Sequence, residues 1–248
     1  SERIRVKKLR GIVSMGLLMP RPDGAIIGDD VAEFYGVTHY EPPDTTTGGE
    51  NVPAPPGYHP NYDVDSLRRY AHLFTPGESV WVTEKIHGAN ARFCFVDGQM
   101  HVGSRTRWKR EDSKSIWWRV IQDSGVGTFC EEHPDITVYG EIYGLQDLKY
   151  GCQKGQVRLA VFDLLRGTTW LDPDEAWDLA SNLPWVPSLG VVPFEVADIY
   201  KLAEGQSLVP GANHCREGIV VKPMRERVHA EIGRVQLKVV SNDYLERA

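Results

Sequence analysis

The sequence predicts an α+β fold in which antiparallel sheets carry helices on their outer faces. Runs rich in Val, Ile and aromatic residues predict strands, and turn residues such as Asp97 and Gly98 separate two of these runs. Segments with apolar residues at helical spacing lie between other strand runs. This alternation is typical of α+β proteins. The 248 residues can bury one sizeable core or two small ones.

The first quarter of the chain predicts little regular structure. Residues 1 to 20 are expected to form one or two short strands that end at Met19 and Pro20. Residues 21 to 62 are rich in Gly, Pro, Asp and Thr, which predicts a linker or an irregular segment wrapped over the core. Within it, only Asp30 to Tyr35 has a weakly helical pattern.

Four helices are predicted in the remainder, at Asp63 to Phe74, Arg110 to Asp123, Pro173 to Asn182 and Val196 to Glu204. Asp63 or Asp65 is expected to cap the first, since Asp is a favoured N-cap residue. One side of the second carries the apolar residues Ile116, Trp117, Val120 and Ile121. Strands are predicted at residues 80–83, 91–96, 136–142, 156–165, 218–224 and 234–240.

Composition excludes several classes of protein. The formal net charge of −6 argues against a surface coated in nucleic-acid-binding charge, although it permits a local basic groove. The four cysteines form no C-x-x-C pair and no zinc spacing, which is typical of reduced thiols in a cytoplasmic protein. No apolar run approaches 18 residues and no signal peptide is evident, so neither a membrane span nor export is indicated.

One polar loop between two strand runs carries the strongest chemical signal. It contains Glu84, Lys85, Ile86, His87, Gly88, Ala89 and Asn90. A strand, a short loop with Gly and a second strand can present a lysine amine to a phosphate in a cleft between sheets. The K-x-x-G spacing alone is weak evidence, because a surface lysine in a tight turn has the same pattern.

Further motifs follow this loop in a fixed order, and together they resemble the lysine nucleotidyltransferases. The segments are Ser104–Trp108, Tyr139–Gly144, Leu159–Leu164, Arg216–Pro223 and Gln236–Ser241. The resemblance is to ATP-dependent RNA ligases of the RNA ligase 2 type, and residues 9–17 also resemble the RNA ligase 5 branch, in which such a stretch follows an N-terminal OB-fold domain. It implies a nucleotidyltransferase (ATP-grasp-like ligase) fold with the nucleotide cleft between sheets, and an adenylyltransferase domain over residues 63–248. Residues 1–62 would be the end of an N-terminal OB-fold domain plus a linker, in a fragment of a longer polypeptide.

The resemblance assigns the catalytic groups. Lys85 would take AMP from ATP as a covalent adduct, and the cations Lys222 and Lys238 would favour its uncharged amine and neutralise the phosphate. Glu217 and Glu141 would hold Mg²⁺ or Mn²⁺. The nucleotide would also contact Glu84, Ile86, Asn90, Arg105, Glu141 and Phe162, with the Phe162 ring stacked on adenine.

The later steps would involve RNA ends, for which a nicked duplex and a monomeric enzyme are expected. His87, Arg105, Arg107 and Lys109 are the residues assigned to these steps, and the basic stretch with Trp108 suits a nucleic-acid strand. A solvated basic face is the plain alternative. The RNA ligase 2 type has a second lysine where this chain has Val240, which leaves one cation fewer at the phosphates.

Other functions remain open from the sequence. A DNA ligase or a GTP-using capping enzyme would share the lysine chemistry, although the Ile86–Asn90 loop favours RNA ligases. A nucleic-acid-end-binding module with an inactive site is the non-enzymatic alternative. The retained lysines and glutamates at positions 85, 141, 217, 222 and 238 argue against it.

Overall fold

The computed structural model describes residues 8–9, 12–13, 19–26, 31–32, 34–36 and 49–246, and the chain divides into two compact units, Ser1–Asp44 and Thr45–Ala248. In the first unit, β1 (Lys8–Leu9) pairs antiparallel with β2 (Ile12–Val13), which agrees with the short strands predicted there. Residues 30 and 33 of the weakly helical segment lie outside the described residues, and residues 34–36 form a turn.

Two sheets form the second unit. The larger sheet contains seven strands: β3 (Asn51–Val52), β6 (Ala89–Val96), β7 (Gln99–Ser104), β8 (Trp108–Lys109), β9 (Ile136–Tyr143), β10 (Arg158–Arg166) and β11 (Thr169–Trp170). They are ordered β11-β10-β9-β6-β7-β8-β3, and every neighbouring pair is antiparallel.

The smaller sheet contains five strands: β4 (Asp65–Ser66), β5 (Ser79–Glu84), β12 (Ser188–Pro193), β13 (Gly218–Pro223) and β16 (Leu237–Val240). Their order is β12-β5-β13-β16-β4, and the β16–β4 pair is the parallel one. A separate hairpin joins β14 (Val228–His229) to β15 (Gly233–Arg234). The predicted α+β class with antiparallel sheets is therefore confirmed.

The helices are short: α1 (Leu67–Tyr70), α2 (Ile116–Arg119), α3 (Ile121–Ser124), α4 (Val126–Glu132), α5 (Pro173–Leu179), α6 (Val196–Ala203) and α7 (Asn242–Glu246), with a 3-10 turn at Ala71–Leu73. The prediction of one helix from Asp63 was wrong. Asp65 lies in β4 opposite Leu237, so pairing with a distant strand overrides the local pattern. The helix predicted from Arg110 begins only at Ile116, and α4 was not predicted.

Each sheet packs helices on one face and leaves the other face to a shared cleft. In β13, Ile219 and Val221 are buried in the core formed with α1 and α6, whereas Val220 and Lys222 line the cleft. This is the two-residue alternation of a strand. The larger sheet has its own core with α2 to α5, which includes the predicted apolar positions of the 116–121 segment.

Within the described part of the chain, no helix combines the length and the apolar character that a membrane crossing requires.

Candidate active site in the cleft between the sheets

The cleft between the two sheets encloses about 230 Å³ and contains most of the predicted site residues. Its lining includes Glu84, Lys85, Ile86, Asn90, Arg105, Glu141, Phe162, Lys222 and Lys238. The walls also include Tyr62, Asp63 and Val186, which the sequence did not assign to the site. The lysine loop and the five later motifs, separated by up to about 150 residues, therefore converge on one site.

Lys85 lies on the loop that leaves β5 in the smaller sheet and enters β6 in the larger one. Its backbone N–H donates to the Gly218 carbonyl at 2.9 Å, which fixes the loop beside the start of β13. Its side-chain amine donates to Glu217 Oε1 at 2.6 Å, and the side chain is 27% exposed. The amine is therefore held in place by an anion and remains accessible from the cleft.

Gly88, the glycine of the K-x-x-G pattern, is required by close packing. A side chain at this position would collide with the carbonyl oxygen of Ile142 and with the Glu141 side chain. Because Ala89 pairs with Ile142 in the β6–β9 ladder, the loop enters the larger sheet directly over that strand. The glycine thus allows Lys85 and Glu141 to approach each other.

Two carboxylates flank the lysine. Burial raises the pKa of Glu141 to about 7, the Lys85 amine opposes this rise, and the negative charge of Glu217 adds to it. Glu217 Oε2 and Asn90 Oδ1 are buried and accept no hydrogen bond from any described residue. Asn90 stands opposite Glu141 in the β6–β9 register. Two buried oxygens at the site, one amide and one carboxylate, therefore accept no hydrogen bond from the described part of the chain.

These oxygens suit a hard divalent cation. No group of three or more His, Cys, Asp and Glu residues with metal-binding spacing occurs in the described residues. Mg²⁺ commonly binds proteins through only one or two carboxylates and completes its shell with water and substrate phosphates. Glu141 and Glu217 fit that limited requirement.

Glu84 is engaged by the protein itself. Its buried carboxylate accepts hydrogen bonds from the Ser207 hydroxyl and from the Leu208 N–H, both at 2.6 Å. Burial raises its pKa, and the two hydrogen bonds oppose that rise. Because both oxygens are occupied, this carboxylate is committed to the protein rather than to a ligand. The neighbouring Ile86 is buried and adds an apolar wall.

Phe162 reaches the cleft through a β-bulge. The β9–β10 register shifts between Val161 and Asp163, so Phe162 is the extra residue. Bulges turn side chains away from the regular alternation and are common at active sites. The Phe162 ring lies 4.4 Å from the Tyr62 ring, centroid to centroid, at 44°. This aromatic wall suits a purine ring.

A buried charge cluster joins the two sheets behind the aromatic wall. Asp163 Oδ2, from the larger sheet, accepts hydrogen bonds from the Tyr62 hydroxyl at 2.6 Å, the Lys222 amine at 2.7 Å and Arg234 at 2.9 Å. Burial would raise the pKa of Asp163, but Arg234 and Lys222 together lower it. Burial lowers the pKa of Lys222, and Asp163 opposes this effect.

The predicted cations therefore have different surroundings. The Lys222 amine also donates to the Phe162 carbonyl at 2.6 Å, so it faces Asp163 and this backbone rather than the open cleft. Lys238 lines the cleft, and among the described residues it has no hydrogen-bond or ion-pair partner. Lys238 is thus the cation best placed to meet an incoming phosphate.

The basic segment after β7 is not one continuous exposed face. Arg105 is 58% exposed, lines the cleft and forms an ion pair with Asp63. The Arg107 backbone closes a turn with Ser104. Lys109 is buried, and its amine donates to Asn51 at 2.8 Å and lies 5.1 Å from the centre of the Trp117 ring.

His87 lies on the other side of Lys85, beside Glu217. Its Nδ1 atom is 3.1 Å from the Tyr244 hydroxyl and 3.4 Å from Glu217 Oε2. Its backbone N–H donates to the Tyr150 hydroxyl at 2.7 Å. Its ring is therefore held by α7 while its side chain remains 26% exposed.

Sequence reasoning missed Tyr62, Asp163 and Arg234. A charged residue inside the apolar run of β10 was an available signal for Asp163, since a buried carboxylate needs partners. Tyr62 lies in a Pro-rich irregular segment, where no periodic pattern points to it.

A two-sheet α+β fold with a lysine on the connecting loop and carboxylates beside it defines a nucleotidyltransferase of the ligase type. The RNA ligase family model matches residues 78–240, which is more than half of the chain. This chain belongs to the RNA ligase family.

Solved structures of Naegleria gruberi RNA ligase support the same assignment. A Lys-to-Ala variant with ATP and Mn is 25% identical, with a TM-score of 0.70 over 99% of this chain and 77% of that chain. The protein with PPi is 26% identical, with a TM-score of 0.70 over 99% and 76%. An apo variant is 26% identical, with a TM-score of 0.71 over 99% and 76%. A comparison with curated protein sequences gave no match.

Proposed function

We propose that this chain is an ATP-dependent RNA ligase that carries AMP on Lys85 and seals 3′-hydroxyl to 5′-phosphate RNA ends in repair. The observation that supports it most is the Lys85 amine, held 2.6 Å from Glu217 in a cleft that also contains Glu141 and Phe162. Among the related Naegleria structures are complexes with ATP and Mn, with AMP and Mn, and with PPi.

In the first step, the Lys85 nitrogen attacks the α-phosphorus of ATP, a phosphoramidate bond forms, and pyrophosphate leaves. The amine must lose its proton, so its ion pair with Glu217 must first be released. Lys238 meets the negative charge that develops on the phosphate oxygens. Phe162 and Ile86 hold the base between apolar surfaces, which orients the α-phosphate towards Lys85.

Glu217 and Glu141 are the residues that would hold Mg²⁺ or Mn²⁺, with Asn90 beside them. When bound, the cation neutralises charge on the transferring phosphate. Its binding requires Glu141 to be ionised, and burial opposes that ionisation. Glu217 already holds the Lys85 amine, so engagement of this carboxylate with a cation would release the amine for attack.

In the next two steps, AMP passes from Lys85 to the 5′-phosphate of an RNA strand, and the 3′-hydroxyl of the second strand displaces AMP. His87 lies beside Glu217 and Arg105 lines the cleft, and these are the residues proposed to contact the RNA ends. Val240 supplies no charge, so Lys238 carries most of the phosphate neutralisation on β16.

The test is the intact mass of the protein after incubation with ATP and Mg²⁺. We expect a gain of one AMP, which Lys85→Ala abolishes and which the exposed control Lys201→Ala retains. Labelling by GTP instead of ATP would indicate a capping-type enzyme. RNA binding without any adduct would refute the catalytic proposal in favour of an end-binding module. Sealing of nicked RNA duplexes, compared with nicked DNA, then tests the substrate.

A further inference from the structure

A second hollow adjoins the cleft at the edge of the smaller sheet. It encloses about 340 Å³, and its lining residues come from β4, α1, α6, β16 and α7: Ser66, Arg68, Tyr200, Lys238, Val239, Val240, Asn242 and Leu245. Lys238 lines both this hollow and the cleft. The two spaces therefore have in common the residue that we assign to the phosphate.

The charge of this hollow differs from that of the whole chain. Its charged lining residues are Arg68 and Lys238, and both are basic, although the chain carries a net charge of −6. Arg68 is exposed on α1. Across the described ranges, neither cation has a hydrogen-bond or ion-pair partner. Two unpaired cations next to a phosphate site can bind the phosphates of a nucleic-acid backbone.

The hollow also has accessible apolar walls. The Tyr200 residue is 38% exposed and Leu245 is 58% exposed, and both line the hollow. An exposed aromatic ring beside cations is the arrangement on which single-stranded bases stack. Inorganic phosphate and the triphosphate of a nucleotide have no apolar surface that could pack against such walls. The lining therefore favours a polynucleotide over a small phosphate ligand.

We propose that this hollow binds an unpaired stretch of RNA that flanks the nicked duplex, with Arg68 on a backbone phosphate and Tyr200 stacked on a base. The inference rests on the proposed function, because it places the RNA strand beside the lysine adduct. In this proposal, the RNA strand runs from Lys238 along the edge of the smaller sheet towards α6.

The test measures binding of a short 5′-phosphorylated RNA by fluorescence anisotropy at several salt concentrations. Arg68→Ala should weaken binding about fivefold and reduce the slope of log affinity against log salt by about 0.7, the value for one phosphate contact on a single strand. Tyr200→Ala should weaken binding about tenfold, and Tyr200→Phe should restore it. Arg69→Ala is the matched control, since Arg69 is exposed on the same helix but outside the hollow.

Adduct formation with ATP separates this inference from the proposed function. Arg68→Ala should form the adduct at the same ATP concentration as the unaltered chain. If it instead needs more ATP and binds RNA normally, the hollow holds nucleotide phosphates and the inference is overturned. Equal losses in Arg68→Ala and Arg69→Ala, or no loss in either, would also overturn it. An unaltered chain that binds RNA through Arg68 and Tyr200 but forms no adduct would refute the proposed catalysis alone. Thermal unfolding of each variant checks that it folds.

Discussion

Replacing Asp163 by asparagine removes the anion that pairs with two buried cations. Lys222 is 2% exposed, and its amine would lose the negative charge of Asp163 while it keeps the Phe162 carbonyl as an acceptor at 2.6 Å. Arg234 would retain Glu226, whose carboxylate accepts from its guanidinium. If the NH₂ of the asparagine faced Lys222, two hydrogen-bond donors would also face each other. The replacement therefore leaves one buried cation almost without compensation.

Breaking a buried ion pair by removing one partner costs roughly 3–5 kcal/mol. Because Arg234 keeps Glu226, we expect a loss near the lower end, about 3 kcal/mol in the free energy of unfolding at pH 7. The pKa of Asp163 lies below its ordinary value of 3.8. Its contribution is therefore complete above pH 3.8 and is lost as pH falls through the folded pKa, so the two proteins should converge in acid.

Urea unfolding followed by tryptophan fluorescence measures this loss. Asp178→Asn is the matched control, since Asp178 is exposed. Adding Lys222→Met to Asp163→Asn should recover at least about 1 kcal/mol, because it removes the unpaired charge. A loss below about 1 kcal/mol for Asp163→Asn, or one equal to that of Asp178→Asn, would refute the reasoning.

Two further predictions concern the site. Burial raises the pKa of Glu141 from 4.5 to about 7, so in EDTA the free energy of unfolding should fall by up to about 3 kcal/mol as pH rises between these values. Glu141→Gln should remove this fall. The prediction is contradicted if the unfolding free energies of Glu141→Gln and the unaltered chain differ by the same amount at every pH. Tyr244→Phe removes the hydroxyl beside His87 Nδ1 and should slow sealing of pre-adenylylated RNA about fivefold without affecting adduct formation. The loss should vanish in a His87→Ala background, and additive losses would show that Tyr244 does not act through His87.

Local patterns predicted six strands and the lysine loop, because strand alternation and the K-x-x-G spacing are properties of short segments, but they missed β7 and β12. The same alternation correctly separates Val221 in the core from Lys222 in the cleft. It could not predict that Lys222 pairs with Asp163, which lies 59 positions earlier in the chain. Such pairing depends on how the two sheets face each other, which the local sequence of neither strand can predict.

The helix predicted from Asp63 failed for a related reason. Leu67, Tyr70, Ala71 and Phe74 do have helical spacing, and a short helix does begin at Leu67. The residues before it instead complete a parallel pair with β16, a contact about 170 positions away. The β-bulge at Phe162 was equally invisible, since it depends on the register against β9. Long-range strand pairing thus determined the start of α1 and the position of the bulge, which local propensity does not specify.

The two walls of the cleft are tied together at both ends. The chain itself crosses at Lys85, and the Asp163–Lys222 bond crosses behind Phe162. Because the two sheets are connected at two places, the cleft between them resists widening. Nucleotide and metal would then enter a slot whose width is set in advance, so that selection of the base by size requires no closure of one sheet upon the other.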